Sequence, residues 1–497
     1  MNWFERTIAN VWPTMAMNRQ LARQRLQILG FYEAAEPSRY HKQRRDKRSA
    51  NLQNEKAAEI LRDLARNLDQ NFDIASGALD TLVSFTIGNG ISPEPQVRLE
   101  NGDPAEEVNA QILDLWEDWI HIPEVTRQFD YYGFQQIMAR AWFRDGEVFA
   151  QHVIGPAAGL DHATLVPYSL EGLESDLVPY EMNDLERNVK QGIECDAWGK
   201  PRAFYVHKAH PGERFQPRAD LKRVDAARIL HLKHVKRLHQ LRGVSVLAPV
   251  INRADDLKEI DESERVAARV AAAFAAYVKK GTPDQYEAPD ANSPDGQRGM
   301  DIVPGMVIDS LRAGEEIGTI DPKRPNNALI PFRDSQLRSF AAGVRAGYSS
   351  LSKNYNGTYS AQRQELVEQH VQYRTISLGF VYRFAQPVYD NFIDAALLSR
   401  QLTLPPGVDR RSIYNASHAL PPLPWIDPQK EANAAIMLID AGLKSRSRVI
   451  RERGDNPDQV RREIQRDKAE YERAGITPAN TDGNPSPAPN EDEEVDQ

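Results

Sequence analysis

Apolar residues recur every three or four positions over residues 51–87: Ile60, Leu61, Leu64 and Leu68, then Ile74, Ala78, Leu79 and Leu82. That is the period of a helix with one buried face, and Gly88-Asn89-Gly90 supplies its left-handed stop. Two further amphipathic stretches are predicted, one over 105–120 around Ile112, Leu115, Trp116 and Trp119, the other over 131–145. From about residue 146 the runs become short and β-rich. Glu147–Ile154, Lys200–Lys208 and Arg228–His234 predict strands, broken by Gly155-Pro156, Gly199-Lys200-Pro201 and Pro211-Gly212. The fold class is α+β.

Residues 245–280 carry a longer helical stripe: Leu247, Val250, Ile251, Ala254, Leu257 and Ile260, continued by Val266, Val270, Phe274 and Val278. At 1.5 Å per residue the helix would be about 50 Å long. Its second half is crowded with alanines, among them Ala268, Ala271, Ala272 and Ala275. Small side chains let neighbouring helices approach closely, which suits a ring-like bundle better than one globular core. Residues 281–330 are rich in Pro, Gly and Asp, with short β-like pieces at Asp301–Ile308 and Ile317–Ile320, and 333–347 return to helix. Residues 349–360 (SSLSKNYNGTYS) read as an exposed loop. A helix follows from Ala361 to about Ser399, with a kink expected at Pro387. A Pro-rich linker leads to a last helical segment, 428–475, with turns at Gly442 and Gly454. There is no internal repeat.

A chain of 497 residues accommodates about three domains. Its net charge of -9 argues against a general nucleic-acid-coating protein. Charge is unevenly placed: residues 39–48 hold six Lys/Arg and one acid, whereas 476–497 hold six acids, four prolines and no Lys/Arg. Both stretches read as solvated arms, the second as disordered. Cys195 is the single cysteine, so no internal disulfide framework or Cys-rich zinc site can form, consistent with a reducing cytoplasm. The N-terminus MNWFERTIANVWP interrupts any signal-like apolar run, and no apolar run approaches the ~20 residues that span a bilayer. No membrane association is expected.

Motifs for catalysis are missing from the pattern. The stretch closest to a phosphate loop, GIECDAWGKP (192–201), has six residues between its glycines and Pro201 where a Ser or Thr would bind magnesium, so it reads as a turn between strands. His231, His234 and His239, like His207 and His210, lack the companions of a metal site. Carboxylates such as Glu147 and Asp161 are too numerous to pair by sequence alone. No Gly-x-Ser-x-Gly elbow occurs. No catalytic residue, cofactor or metal is expected.

Five segments, in order, resemble the lambda-type portal family of tailed phages: ASGALDTLVSFTIGNGISPEP (75–95), RDGEVF (144–149), GIECDAWGKPRAFYV (192–206) with ILHLKHVKRLHQLRGVSVLAPVI (229–251), LSKNYNGTYSAQR (351–363) and DPQKEANAAIMLIDAGLKSRSRVIRERG (427–454). The resemblance spans about 51–475. One departure is Tyr359-Ser360-Ala361, where the family often ends its loop on two serines.

The resemblance implies a ring, usually of twelve subunits, that forms a double-stranded DNA channel at one capsid vertex and is not an enzyme. It implies a wing over 51–244 and 361–427 and stem helices over 245–280 and 331–348, beyond the basic arm that the charge pattern gives over 1–50. It also implies a clip over 281–330, a channel loop over 349–360 and a crown over 428–475, with the acidic tail read from charge, 476–497, following. Lys353, Asn354, Tyr355, Asn356, Gly357 and Tyr359 would face the channel; Ala268, Ala271, Ala272 and Ala275 would pack subunit on subunit. Implied partners are the terminase large subunit, major capsid and scaffolding proteins, and head-completion or tail connector proteins, with assembly in the bacterial cytoplasm. Alternatives are a minor head or scaffold protein without a channel, and a DNA-processing enzyme.

The physics fits the channel. Duplex of any sequence must slide, so base readout is useless and strong phosphate binding would stall movement.

Overall fold

The computed structural model describes residues 13–29, 46–213, 220–272, 276–280, 315–319, 329–422 and 428–475. The chain divides into two units, 1–52 and 53–497. The first contains helix α1 (Pro13–Leu29).

The second unit is mixed α and β. The predicted helix over 51–87 is two helices, α2 (Ala50–Asn71) and α3 (Asp73–Thr86), broken at Phe72, whose backbone is extended. Within α2 the buried face is not the expected one. Ala58, Arg62, Ala65 and Leu68 are buried, whereas Ile60 and Leu64 are exposed. The inward face is turned by ionic contacts described below, which an apolar stripe cannot report. Helices α4 (Glu106–Trp119) and α5 (Tyr131–Asp145) match their predicted spans closely. Asp130 caps α5 by accepting from the Gly133 N–H at 2.6 Å.

Strands β1 (Ser92–Pro95), β2 (Glu147–Ile154), β3 (Tyr168–Leu173), β4 (Val189–Lys190), β5 (Ile193–Cys195), β6 (Pro201–His207), β7 (Leu221–Asp225) and β8 (Ile229–Lys233) follow in order. A three-stranded sheet has the order β3-β2-β8 and a four-stranded one the order β4-β5-β6-β7. All pairings in both are antiparallel. The turn predicted over 192–201 is narrower, since 193–195 form β5; it spans 196–200, where Asp196 Oδ1 accepts from the N–H groups of Trp198 and Lys200, at 2.9 and 2.8 Å.

The long helix is shorter than predicted. Helix α6 covers Ile251–Ala272, 22 residues or about 33 Å. Residues Ala276–Lys280 form strand β9, antiparallel to β10 (Glu315–Thr319), with Lys280 and Lys279 in register opposite Glu315 and Glu316. Pairing with a segment some forty positions away in the sequence overrides the local helical period. The predicted β-like piece at 301–308 lies outside the described residues.

Helices α7 (Leu329–Val344) and α8 (Tyr348–Ser352) precede α9 (Tyr359–Phe380). A π-helical turn at Val381–Ala385 joins α9 to α10 (Gln386–Leu398). The irregularity therefore lies one turn before Pro387, not at it. Pro387 has no N–H to offer and its ring crowds the carbonyl four residues back; the wide turn, with Gln386 N–H bonded to the Val381 carbonyl, relieves both. Strand β11 (Ala416–Ala419) pairs with β1. Three helices end the described chain: α11 (Pro428–Asp440), α12 (Arg446–Glu452) and α13 (Pro457–Ala474). Gly442 and Gly454, at φ 70° and 88°, make the two turns as expected.

One large core joins α3–α5, the start of α6, and α7, α9 and α10. Trp116 and Trp119 stand at its centre, each within 6 Å of Tyr131 and Phe392. A smaller core under the four-stranded sheet includes Phe149, Ile193, Phe204 and Val206.

Candidate functional site

Three features frame the site: two that the sequence singled out, the loop after α8 and the alanine-bearing end of α6, and a polar cluster that folding assembles from RDGEVF (144–149) and the segment 229–251.

The loop is shorter than expected. Ser349–Ser352 belong to α8 and Tyr359 opens α9, leaving residues 353–358. Its feet are pinned. Glu365 on α9 accepts from the Ser349 N–H at 3.0 Å and the Ser349 hydroxyl at 2.6 Å. Lys353 takes the left-handed conformation at φ 55° and so ends α8. The Asn354 N–H donates to Ser352 Oγ and the Asn356 N–H to Asn354 Oδ1. Gln362 Nε2 donates to the Tyr355 carbonyl, and Thr358 Oγ1 caps α9 from the Ala361 N–H. Tyr355 and Tyr359 are exposed. A Cβ on Gly357 would meet only ordinary contacts, 3.5 Å to Gln362 Cγ, so this backbone does not demand glycine there.

Helix α6 is rooted in the core by Ile251, Ala254 and Leu257, while Val266 is 48% exposed and Ala268 is exposed. Ala271 and Ala272 lie in the last turn of α6, and Ala275 lies outside the described residues. Helix α7 packs beside α6. Arg333 Nε meets Asp261 Oδ1 at 3.0 Å, Arg253 donates to Gln336, and a Cβ on Gly343 would fall 2.3 Å from Val250 Cγ1. The close approach needs that glycine.

The polar cluster was not legible in the sequence. Glu147, at the start of β2, is fully buried, as is Arg242. Glu147 Oε1 accepts from Arg242 Nε at 2.7 Å and from the hydroxyls of Ser175 and Tyr180 at 2.8 Å. Its Oε2 accepts from His231 Nε2 and the Gly243 N–H, both at 2.9 Å. Burial would push this carboxyl up; Arg242, His231 and Gly243 outweigh burial and hold it below the usual carboxylate range. Burial lowers His231 to about 4, against the pull of Glu147, because Arg242 already balances the carboxylate. Arg242 also donates to the carbonyls of Val178 and Gln191 and lies 3.8 Å over the Tyr180 ring. The ionic chain extends outward through Asp176, Arg66 and Asp145 to Arg144 and Asp69.

Two glycines make the meeting possible. Gly146 has φ 88°, and a Cβ there would lie 2.2 Å from the Val244 carbonyl carbon; one on Gly243 would lie 2.0 Å from the Gly146 oxygen. The Arg-Asp-Gly-Glu and Arg-Gly segments thus lock back to back, and the signal that could have found them was two Arg/Gly pairs flanking strands β2 and β8. Nearby, Glu174, Asp176 and His210 group within metal-binding reach. Arg66 lies 2.6 Å from Asp176 and 3.7 Å from Glu174, so a guanidinium already supplies the positive charge.

Residues 36–376 match the profile of the phage portal protein, lambda family. The chain belongs to that family. Membership carries a structural role in the phage particle. A probable portal protein of Halomonas phage phiHAP-1 is 24% identical over 442 residues, 84% of this chain and 82% of that protein. Portal protein B of Escherichia phage lambda is 24% identical over 322 residues, 59% of this chain and 60% of its own. Among solved structures, a chain in the neck of a native GTA particle computed with C12 symmetry is 12% identical, with TM-score 0.45, over 80% of this chain and 94% of its own. The portal-family match contains the Glu147–Arg242 cluster, α6 and α7, and the 353–358 loop. It stops before helices α11–α13, short of the 51–475 span suggested by the quoted segments.

Proposed function

We propose that copies of this chain close into a ring, twelve in the particle, and that double-stranded DNA passes through its channel during packaging and ejection. The supporting observation is the family match over residues 36–376, which includes an exposed loop pinned at both feet by Ser349–Glu365 and Thr358. On this reading α6 and α7 are the stem, with the first stem helix ending at Ala272. The mixed region over 51–244 with 361–427 is the wing, 281–330 the clip, and α11–α13 the crown. The clip receives the terminase large subunit and later the head-completion or tail connector proteins; the outer surface meets major capsid and scaffolding proteins.

Lys353 is the only charge in the loop. Twelve copies place a narrow positive collar around the duplex in an otherwise acidic assembly. Few can meet phosphates at once, so the contact is weak and salt-sensitive. Negative-stain microscopy of the purified protein tests the ring: closed rings with a central channel are expected, and monomers alone at every concentration and salt would refute it. Lys353→Ala, or a deletion within Asn354–Thr358, is expected to leave rings intact and to lower the yield of filled heads. Normal yields of full, infectious particles from the deletion would refute the channel assignment of the loop.

A further inference from the structure

A cleft of about 470 Å³ opens between α9, the segment following β11, and α12. Four cations line it, Arg374 from α9 and Lys444, Arg448 and Arg451 from α12 and the turn before it, with the imidazoles of His370 and His418 beside them. The carboxylates do not balance them. Lys444 and Arg448 share Glu452, at 2.7 and 3.3 Å, and Arg451 meets Glu94 at 2.9 Å. Among the described residues, Arg374 makes no hydrogen bond or ion pair. His418 Nε2 is buried without a partner. A concave site with two surplus cations and an orphaned ring nitrogen is built for an anion.

We propose that the occupant is the acidic segment Glu491–Asp496 of the same chain. Within 476–497 there are six acids and no Lys/Arg, and five of the six fall in Glu491–Asp496. The segment can reach. Helix α13 starts beside α12 and has 18 residues, so it carries the chain about 27 Å away. Residues 476–490 can span up to about 50 Å, enough to return. Such a tether keeps the acids at an effective concentration on the order of millimolar. A thin extended peptide enters a cleft of this volume with carboxylates directed at Arg374 and at Arg448, which shares Glu452 with Lys444. A duplex, about 20 Å across, presents a convex surface that cannot follow the walls. The docked segment would neutralise the cleft and tie α12 to α9, independently of any channel.

Zero-length carbodiimide coupling of carboxylates to lysines on the full chain, read by mass spectrometry, tests this. Lys444 is expected to couple to Glu491–Glu494 at low salt. The yield should fall about tenfold in the Arg374→Gln/Arg448→Gln variant, with coupling to exposed Lys468 unchanged as the proximity control. Coupling spread evenly over Lys444 and Lys468, unaffected by the variant, would overturn the proposal. So would coupling mainly between isotopically labelled and unlabelled chains in a mixture, because the tail would then serve another copy. A second variant leaves the cleft untouched: Glu491→Gln/Asp492→Asn/Glu493→Gln/Glu494→Gln. A fluorescent peptide of residues 488–497 is expected to bind this variant about tenfold more tightly than the native chain. Equal binding, or binding of a short DNA duplex but not the peptide, would refute the assignment.

Discussion

The Glu147–Arg242 pair gives the sharpest test of what holds the β2–β8 region to the helices. Glu147→Gln keeps the shape and removes the charge. Arg242, fully buried, then faces an amide whose NH₂ must meet donors: Tyr180, Ser175, His231 and the Gly243 N–H all point at this position. Breaking one partner of a buried ion pair costs about 3–5 kcal/mol, because the remaining charge is left uncompensated. Arg242→Met should cost at least as much, since it also strands the carbonyls of Val178 and Gln191. The double variant leaves no charge unpaired, so its loss should fall short of the sum of the singles by about 1–3 kcal/mol. Urea unfolding of the full chain, followed by tryptophan fluorescence, measures all three. A Glu147→Gln loss below about 1 kcal/mol, or additivity within about 0.5 kcal/mol, would show that the cluster is not a coupled unit.

Other outcomes follow from the same geometry. Gly146→Ala is expected to destabilise by about 2–4 kcal/mol, since its Cβ would strike the Val244 backbone at φ 88°; a thermal midpoint unchanged from the native chain would contradict it. His152, His231, His234 and His418 are held by burial at about 4. The unfolded imidazoles protonate near 6.5, so unfolding takes up protons between pH 6.5 and 4 and stability falls as pH drops through that window. Glu147, held below the usual carboxylate range, adds a loss at still lower pH; denaturation midpoints flat from pH 7 to 4 would contradict the burial of these groups. Ala268→Leu and Ala271→Leu should disturb ring closure, read by native mass spectrometry, more than they shift the unfolding midpoint. Normal rings with a weakened monomer would show that these alanines face the subunit's own core.

What local sequence determined was whatever depends on near neighbours. Ile112, Leu115, Trp116 and Trp119 share a stripe and share the core; the strand over Glu147–Ile154 has its predicted bounds; Gly442 and Gly454 turn the chain where only glycine bends freely. The ordered segments also carried the family. Tertiary structure decided what depends on residues distant in sequence. An apolar stripe predicted that Ile60 and Leu64 face inward, but Arg62 and Arg66 turn that face of α2 toward Asp145 and Asp176. The helical period ran on past Ala272, but β10 claimed residues 276–280 as a strand. Pro387 announced an irregularity, but the surrounding turns placed it at Val381–Ala385. Glu147 was one acid among many until folding brought Arg242, ninety-five positions away, beside it in a fully buried site. Charge pairing in a buried site is settled by proximity in three dimensions, and no local spacing encodes it.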